Sequence, residues 1–220
     1  SELVFLRPLA DFSVFECAGL KTGMFTSPHL VDFRERIQVQ GDMISKEDTM
    51  RLGNRLLSMD FGVYPTMFDY CLAMALLYFK EQKCDVVILE TGLGGTYDST
   101  NACGVPDVTV IAKIGFDHMA ILGDTLAQIA AEKAGIIKHG TALVLESQEK
   151  EAMDVLNKAA ERANIKTTKV INLDEIRILP QKDGKQCFSY AGYDAVTMKM
   201  LGVHQYENAV AAMLAAELFF

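Results

Sequence analysis

Val86-Val87-Ile88-Leu89-Glu90-Thr91-Gly92-Leu93-Gly94-Gly95 is the stretch that decides the fold. Its first four residues are apolar and mostly β-branched, with no polar alternation. Such a run suits a strand covered on both faces, as in parallel sheets. Val108-Thr109-Val110-Ile111 repeats the texture and leads to Gly115-Phe116-Asp117-His118. Upstream, Met24–Thr26 reads as a short strand that stops at Ser27-Pro28, because a residue before proline is pushed away from the helical region. Ser45-Lys46-Glu47-Asp48 reads as a capping box opening a helix to about Met59. Asp69–Gln82 reads as a second helix, with Leu72, Ala75, Leu76 and Phe79 on one face. Downstream, Asp124 is expected to cap a helix over Thr125–Ala134 that Gly135 closes. Strand Ala142–Leu145, helix Lys150–Ala163 and strand Lys169–Ile171 follow. After Ile176 the pattern turns to hairpins about Lys182-Asp183-Gly184, and a last helix begins near Gln205. Strands alternating with helices predict an α/β domain with a mostly parallel sheet and a small antiparallel piece near the C-terminus. The first twenty residues carry no clean period.

The composition fits a globular chain. Of 220 residues half are hydrophobic and 23% are charged, which excludes disordered, collagenous and coiled-coil readings. The formal charge of −8 argues against nucleic acid as a partner, which usually needs a basic face. A local site can still bind anions against that global sign. No apolar run approaches the roughly 18 residues of a membrane span. The five cysteines (17, 71, 84, 103, 187) form no CxxC pair and read as buried thiols of a reducing, cytoplasmic protein.

Open α/β sheets place their sites just past the C-terminal ends of the strands. Glu90 and His118 both fall there, at what are expected to be neighbouring strand ends, and Ser27 follows another short strand. A carboxylate, an imidazole and a hydroxyl could share a Mg²⁺ ion that also holds phosphates. The alternative is that Glu90 caps the amides of Gly92–Gly95 and His118 is a hydrogen-bonded turn histidine. Lys133 lies on the apolar stripe of its helix with Leu126, Ile129 and Ala130, so it must snorkel, pair or lose its charge. The Gly-rich stretch is not a Walker motif, since G-x-x-x-x-G-K-[ST] occurs nowhere in the chain. It is expected to let backbone pass close to a ligand or to another loop. Phe68 and the eleven methionines read first as core.

Six ordered segments carry a resemblance. They are Phe25-Thr26-Ser27-Pro28-His29-Leu30, Leu89–Gly95 running on through Asp98 to Asn101, Gly115–His118, Leu122-Gly123-Asp124-Thr125, Glu132-Lys133-Ala134-Gly135-Ile136, and Gly202-Val203-His204-Gln205 followed by Asn208-Ala209. Together they resemble the folylpolyglutamate synthase/dihydrofolate synthase family of the Mur-ligase superfamily, from about Gly19 to the C-terminus. The resemblance implies an ATP-binding domain of P-loop NTPase-like architecture spanning 1–220. It also implies an ATP-dependent amide ligase, in which ATP phosphorylates a carboxylate of dihydropteroate or a folate and the amine of L-glutamate attacks the acyl phosphate. Ser27, Glu90 and His118 would be magnesium ligands, and Lys133 a carbamylated lysine that adds an anionic oxygen donor. Catalytic roles would fall to Lys133 and His118. Thr66, Phe68, Asp98, Ser99 and His29 would face the pterin substrate, and Asn208, His204 and Gln205 the ATP. Mg²⁺ and K⁺ are the implied ions, and a cytoplasmic monomer is expected, without nucleic acid or membrane partners.

The departures are equally specific. A Gly-Thr-Asn-Gly-Lys-Gly-Ser type P-loop is expected just before Ser13-Val14-Phe15 and is absent, as is a C-terminal glutamate-binding domain. Thr96 stands where a basic residue is common, Val203 where arginine is common, and Asp69 where glutamate is frequent. The alternatives are a noncatalytic folate-binding remnant, or a Mur-type ligase of a cell-wall precursor.

Overall fold

The computed structural model describes the backbone of residues 2–5 and residues 14–220. The missing P-loop expected before Ser13 therefore falls outside the described residues. An eight-stranded sheet forms the centre, in the order β4-β3-β2-β5-β1-β6-β7-β8. Its strands are β1 (Glu2–Phe5), β2 (Thr22–Phe25), β3 (Ile37–Val39), β4 (Asp42–Met43), β5 (Val86–Leu89), β6 (Val108–Ile111), β7 (Ala142–Leu145) and β8 (Thr168–Val170). From β2 to β8 every neighbouring pair is parallel, while β3 and β4 add an antiparallel edge beyond β2. The two apolar runs that predict the fold are thus parallel strands. They are not neighbours, however, because β1 lies between them, with Phe5 opposite both Leu89 and Thr109. A strand of four residues with no flanking turn signal leaves too short a pattern to be read, which is why the N-terminal segment looked aperiodic.

The helices are α1 (Lys46–Leu57), α2 (Met67–Gln82), α3 (Met119–Leu122), α4 (Leu126–Lys133), α5 (Lys150–Arg162) and α6 (His204–Phe219). Side-chain alternation along the strands divides the core between the two faces. On β5, Val87 and Leu89 pack with Leu72, Ala75 and Phe79 of α2, while Val86 and Ile88 face α6. Leu143 and Leu145 of β7 pack with Ile129 of α4 and Leu156 of α5, and Val144 faces α6. Each such fully buried aliphatic side chain stabilises the fold by about 1.5–3 kcal/mol. α6 is apolar all round because it is covered twice. One side meets the large sheet, the other a three-stranded antiparallel sheet of β9 (Arg177–Lys182), β10 (Lys185–Tyr190) and β11 (Tyr193–Met198). The β9–β10 turn takes positive φ at Asp183 and Gly184, as two-residue hairpins prefer.

Three local expectations are corrected. α4 is capped by Thr125 rather than Asp124. The Thr125 hydroxyl accepts the Gln128 N–H at 3.2 Å, while Gln128 Oε1 accepts the N–H groups of Thr125 and Asp124. Gly135 does not close the helix by a left-handed turn, since the chain runs on into a 3₁₀ turn over Ala134–Ile136. Finally, all five cysteines are free, yet only Cys71, Cys84 and Cys187 are buried, and Cys17 is exposed.

Candidate active site at the C-terminal edge of the sheet

A cavity of about 170 Å³ opens where β5 and β6 end. Glu90 and Gly94 line one side, Ala112 and Lys113 the other, and Lys133 and Ile136 close it from the end of α4. Since β1 lies between β5 and β6, the cavity sits over the C-terminal end of the central strand. That is the position at which open parallel sheets bind their ligands. Cavities of this kind owe their shape to backbone held rigidly around them, and here the rigidity comes from the Gly-rich loop.

Asp98 is the clasp of that loop. It is buried, and Oδ2 accepts the N–H groups of Gly92 and Leu93 at 2.8 and 3.0 Å. Oδ1 accepts the N–H and hydroxyl of Thr100 at 3.0 and 2.5 Å. Asn101 Nδ2 donates to the carbonyls of Gly95 and Thr96. The loop then locks onto the end of α4. The Thr96 N–H and hydroxyl both donate to the Glu132 carbonyl, at 2.9 and 3.2 Å. A Cβ on Gly95 would stand 2.5 Å from that carbonyl oxygen, and one on Gly135 would stand 2.3 Å from Thr96 Cα. Glycine at both positions is what lets the two backbones touch. The expected close approach of the Gly-rich stretch to another segment is thus present, and the segment is the one that carries Lys133.

Glu90 does not cap the loop amides. Its Oε2 accepts the Ser27 N–H at 2.7 Å, and its own N–H donates to the Phe25 carbonyl. Ser27, Glu90 and Lys133 are accordingly brought together at the ends of β2, β5 and α4, with a cis Ser27–Pro28 bond beside them. Lys133 is half-buried and faces the cavity. His118 is not among the residues lining it. It begins α3 at φ 50° in an exposed segment, with its N–H bonded to the Asp117 carboxylate at 2.8 Å. Among the described residues no three of His, Cys, Asp or Glu converge as a metal-binding group. The expected set is of another composition, since a hydroxyl and a lysine join one carboxylate and one imidazole.

Phe68 is half-buried. It packs edge-on against Phe25, centroids 5.4 Å apart, and its ring lies against Gly92. Thr66 is the N-cap of α2 and shares hydrogen bonds with Asp69 in both directions. The Ser99 hydroxyl donates to Asp69, and this bond, with those from Thr66, holds the Asp69 carboxyl below its ordinary range. Thr66, Asp69 and Ser99 therefore form one polar cluster that joins α2 to the loop after Asp98. His29 is exposed and accepts a hydrogen bond from Arg36 Nε at 2.9 Å.

α6 runs antiparallel to the strands. Its last residues, Leu218 and Phe219, line a cavity with Asp107 and Ala142 at the N-terminal ends of β6 and β7. Its first turn therefore lies toward the opposite edge, the one that carries Glu90. There Gln205 Nε2 bonds His204 Nε2 at 3.1 Å, and Asn208 Nδ2 donates to Gln205 Oε1 at 3.0 Å. Sequence reasoning missed two residues beside the cavity. Glu146 is 3% exposed and accepts the Lys113 N–H, and Gln148 holds Ile114 and Ala112. A polar pair straight after an apolar strand was the signal that could have found them.

The Mur ligase middle domain family matches residues 62–216. The dihydrofolate synthase/folylpolyglutamate synthase of Bacillus subtilis (strain 168) is 41% identical over 233 residues, 99% of this chain and 52% of that protein. The chain thus spans about half the length of that curated relative, and about a third of the next ones. Among solved structures, Mycobacterium tuberculosis folylpolyglutamate synthase complexed with ADP superposes with a TM-score of 0.87 at 29% identity. That match covers 100% of this chain and 54% of the other. E. coli FolC in complex with DHPP and ADP gives 0.81 at 26% identity, covering 99% and 53%. The α/β sheet, the clasped loop and these likenesses agree: the chain belongs to the Mur ligase family, in its folylpolyglutamate synthase/dihydrofolate synthase branch.

Proposed function

We propose that the chain forms the ATP-binding domain of an ATP-dependent ligase that joins L-glutamate to dihydropteroate or to folates through an acyl phosphate. The observation that carries this reading is the cavity over the end of the central strand, which Glu90 and Lys133 face together. A substrate carboxylate oxygen attacks the γ-phosphorus of ATP and ADP leaves. The glutamate amine then attacks the acyl carbon, phosphate departs with the C–O electron pair, and the amine loses a proton. Both reactants are highly anionic, so the domain must hold them in line and offset their charge.

The residues present fit a magnesium ion, which prefers oxygen donors. The Glu90 carboxylate and the Ser27 hydroxyl lie at adjoining strand ends, and His118, at the start of α3, would complete the set. Such an ion, when bound, supplies charge neutralisation of the phosphates. Lys133 contributes as a carbamate. Its neutral amine adds to CO₂ and releases one proton, turning an inward cation into an oxygen donor. No residue is assigned to a potassium ion. The amides of Gly92 and Leu93 are committed to Asp98, so the Gly-rich loop serves to position Lys133 rather than to cradle phosphate. Phe68, Thr66, Ser99, Asp98 and His29 are the residues assigned to the pterin. Asn208, His204 and Gln205, at the start of α6, face the nucleotide. A cytoplasmic, monomeric enzyme is part of this proposal, and five free cysteines suit a reducing compartment.

The test is ATP-dependent incorporation of labelled glutamate by the full parent polypeptide, with dihydropteroate and with folate offered separately. Incorporation into either is expected. Extension of a UDP-muramoyl substrate instead would assign the cell-wall reaction, and failure to bind Mg-ATP would assign a noncatalytic role.

A further inference from the structure

We propose that Glu146 and Gln148 are positioning residues for this site. They clamp the segment 112–114 as a fixed wall of the cavity opposite Glu90, and so set where the reacting phosphates lie. The inference rests on the ligase reading above and extends it to residues outside the six family-like segments.

Where β6 ends at Ile111, the backbone loses its ladder partners, and groups so placed must find others. The chain supplies them from the end of β7. Glu146 follows that strand directly, and its N–H still donates to the Ile111 carbonyl at 3.0 Å. Its carboxylate Oε2 then accepts the Lys113 N–H at 2.7 Å. Two residues on, Gln148 Oε1 accepts the Ile114 N–H at 2.8 Å while its Nε2 donates to the Ala112 carbonyl at 3.0 Å. Three consecutive residues are thereby tied, each through its backbone. Ala112 and Lys113 line the cavity with Glu90 and Lys133, and the chain continues from Ile114 into the exposed run 115–118 that ends at His118.

A carboxyl side chain with 3% exposure is an expensive way to fill space, because it needs hydrogen-bond partners that a leucine would not. Glu146 commits Oε2 to one backbone N–H of the cavity wall. Such a bond fixes direction as well as distance, which an apolar contact cannot do. A displacement of about 1 Å in the wall around reacting groups lowers rate by about 10²-fold. A clamp of this kind would therefore be felt in the chemical step rather than in substrate capture.

The experiment compares E146A, E146Q and Q148A with wild type in the full parent polypeptide, reading kcat, KM for glutamate and amide exchange at Lys113 and Ile114. E146A and Q148A should lower kcat by about 10- to 100-fold, with KM for glutamate within about twofold and faster exchange at both amides. E146Q keeps an acceptor oxygen at the same reach and should stay within about threefold of wild type. Should E146A fail to fold, Q148A decides, since its side chain is only half-buried. Unchanged kcat in the folded alanine variants, or E146Q as damaged as E146A, would overturn the positioning role. A wild type that is inactive with every acceptor overturns the ligase reading and this inference together. An active wild type with unaffected variants overturns this inference alone.

Discussion

Replacing Gly135 by alanine tests the contact that places Lys133. An added Cβ would stand 2.3 Å from Thr96 Cα, 2.4 Å from its N and 2.4 Å from its Oγ1. Ordinary contact begins near 3.4 Å, so the two backbones must separate by more than 1 Å. That separation breaks both bonds from Thr96 to the Glu132 carbonyl, at about 1 kcal/mol each. The strain of overpacking adds about 1–3 kcal/mol. Part is returned, about 0.4–1 kcal/mol, because alanine has less freedom in the unfolded chain. The balance is a loss of about 2–4.5 kcal/mol, read as a lower urea midpoint at unchanged slope. Gly115→Ala is the control, since a Cβ there meets nothing within 4 Å and its φ is ordinary. It should move stability by no more than about 0.5 kcal/mol. Thr96→Gly should not rescue Gly135→Ala, because two of the three obstructing atoms are backbone. A Gly135→Ala protein within about 0.5 kcal/mol of wild type, or full rescue by Thr96→Gly, would refute the interlock.

Four further outcomes are expected. Asp98→Asn replaces one acceptor oxygen by a donor facing N–H groups, and should destabilise by about 1–3 kcal/mol in urea with faster amide exchange at Gly92 and Leu93. Lys133→Ala should impair the chemical step of the full enzyme, with partial rescue by short carboxylates; unaltered kcat would exclude the carbamate. Phe68→Leu should leave the urea midpoint within about 1 kcal/mol yet raise KM for the pterin substrate, since leucine fills the contact with Phe25 but cannot stack. Glu217 accepts from Lys169 first and from Tyr193, and these hold its carboxyl below the ordinary range. The stabilisation is present above the unfolded carboxylate's pKa and is lost as pH falls through the lower folded value, so Glu217→Gln should flatten the acid limb of a melting-temperature profile. With the side chain 29% exposed, the effect at neutral pH is about 0.2–1 kcal/mol, or about 1–3 °C.

Sequence patterns revealed the fold wherever an element was long or its composition extreme. β5, β6 and β7 were legible because short runs without polar alternation suit strands covered on both faces, and α2 and α5 because their stripes repeat over several turns. β1 was not, since its place is set by pairing with Val86 and Val108, far along the chain. The adjacency assumed for Glu90 and His118 failed for the same reason. At the site, Glu90 and Lys133 could be proposed from position and from an inward charge. The clasp of Asp98 and the Gly95–Gly135 contact could not, because a glycine's reason lies in the atoms it admits. Thr125 displaced Asp124 as the cap because Gln128, three residues on, completes the reciprocal pair only with Thr125.

The place of β1 also governs the order in which the molecule can assemble. Among the described residues it alone is hydrogen-bonded to both β5 and β6, joining the group β4-β3-β2-β5 to the group β6-β7-β8. Strand β1 therefore waits for residues as late as Thr109 before it has both partners. Loop closure over such separations slows folding, and an unpaired strand edge is exposed meanwhile. α2 covers one side of β5 and α4 with α5 cover one side of β7, while α6 packs against both groups. Insertion of Glu2–Phe5 is the step that joins the two ladders into one sheet, between the strand ends that carry Glu90 and Ala112.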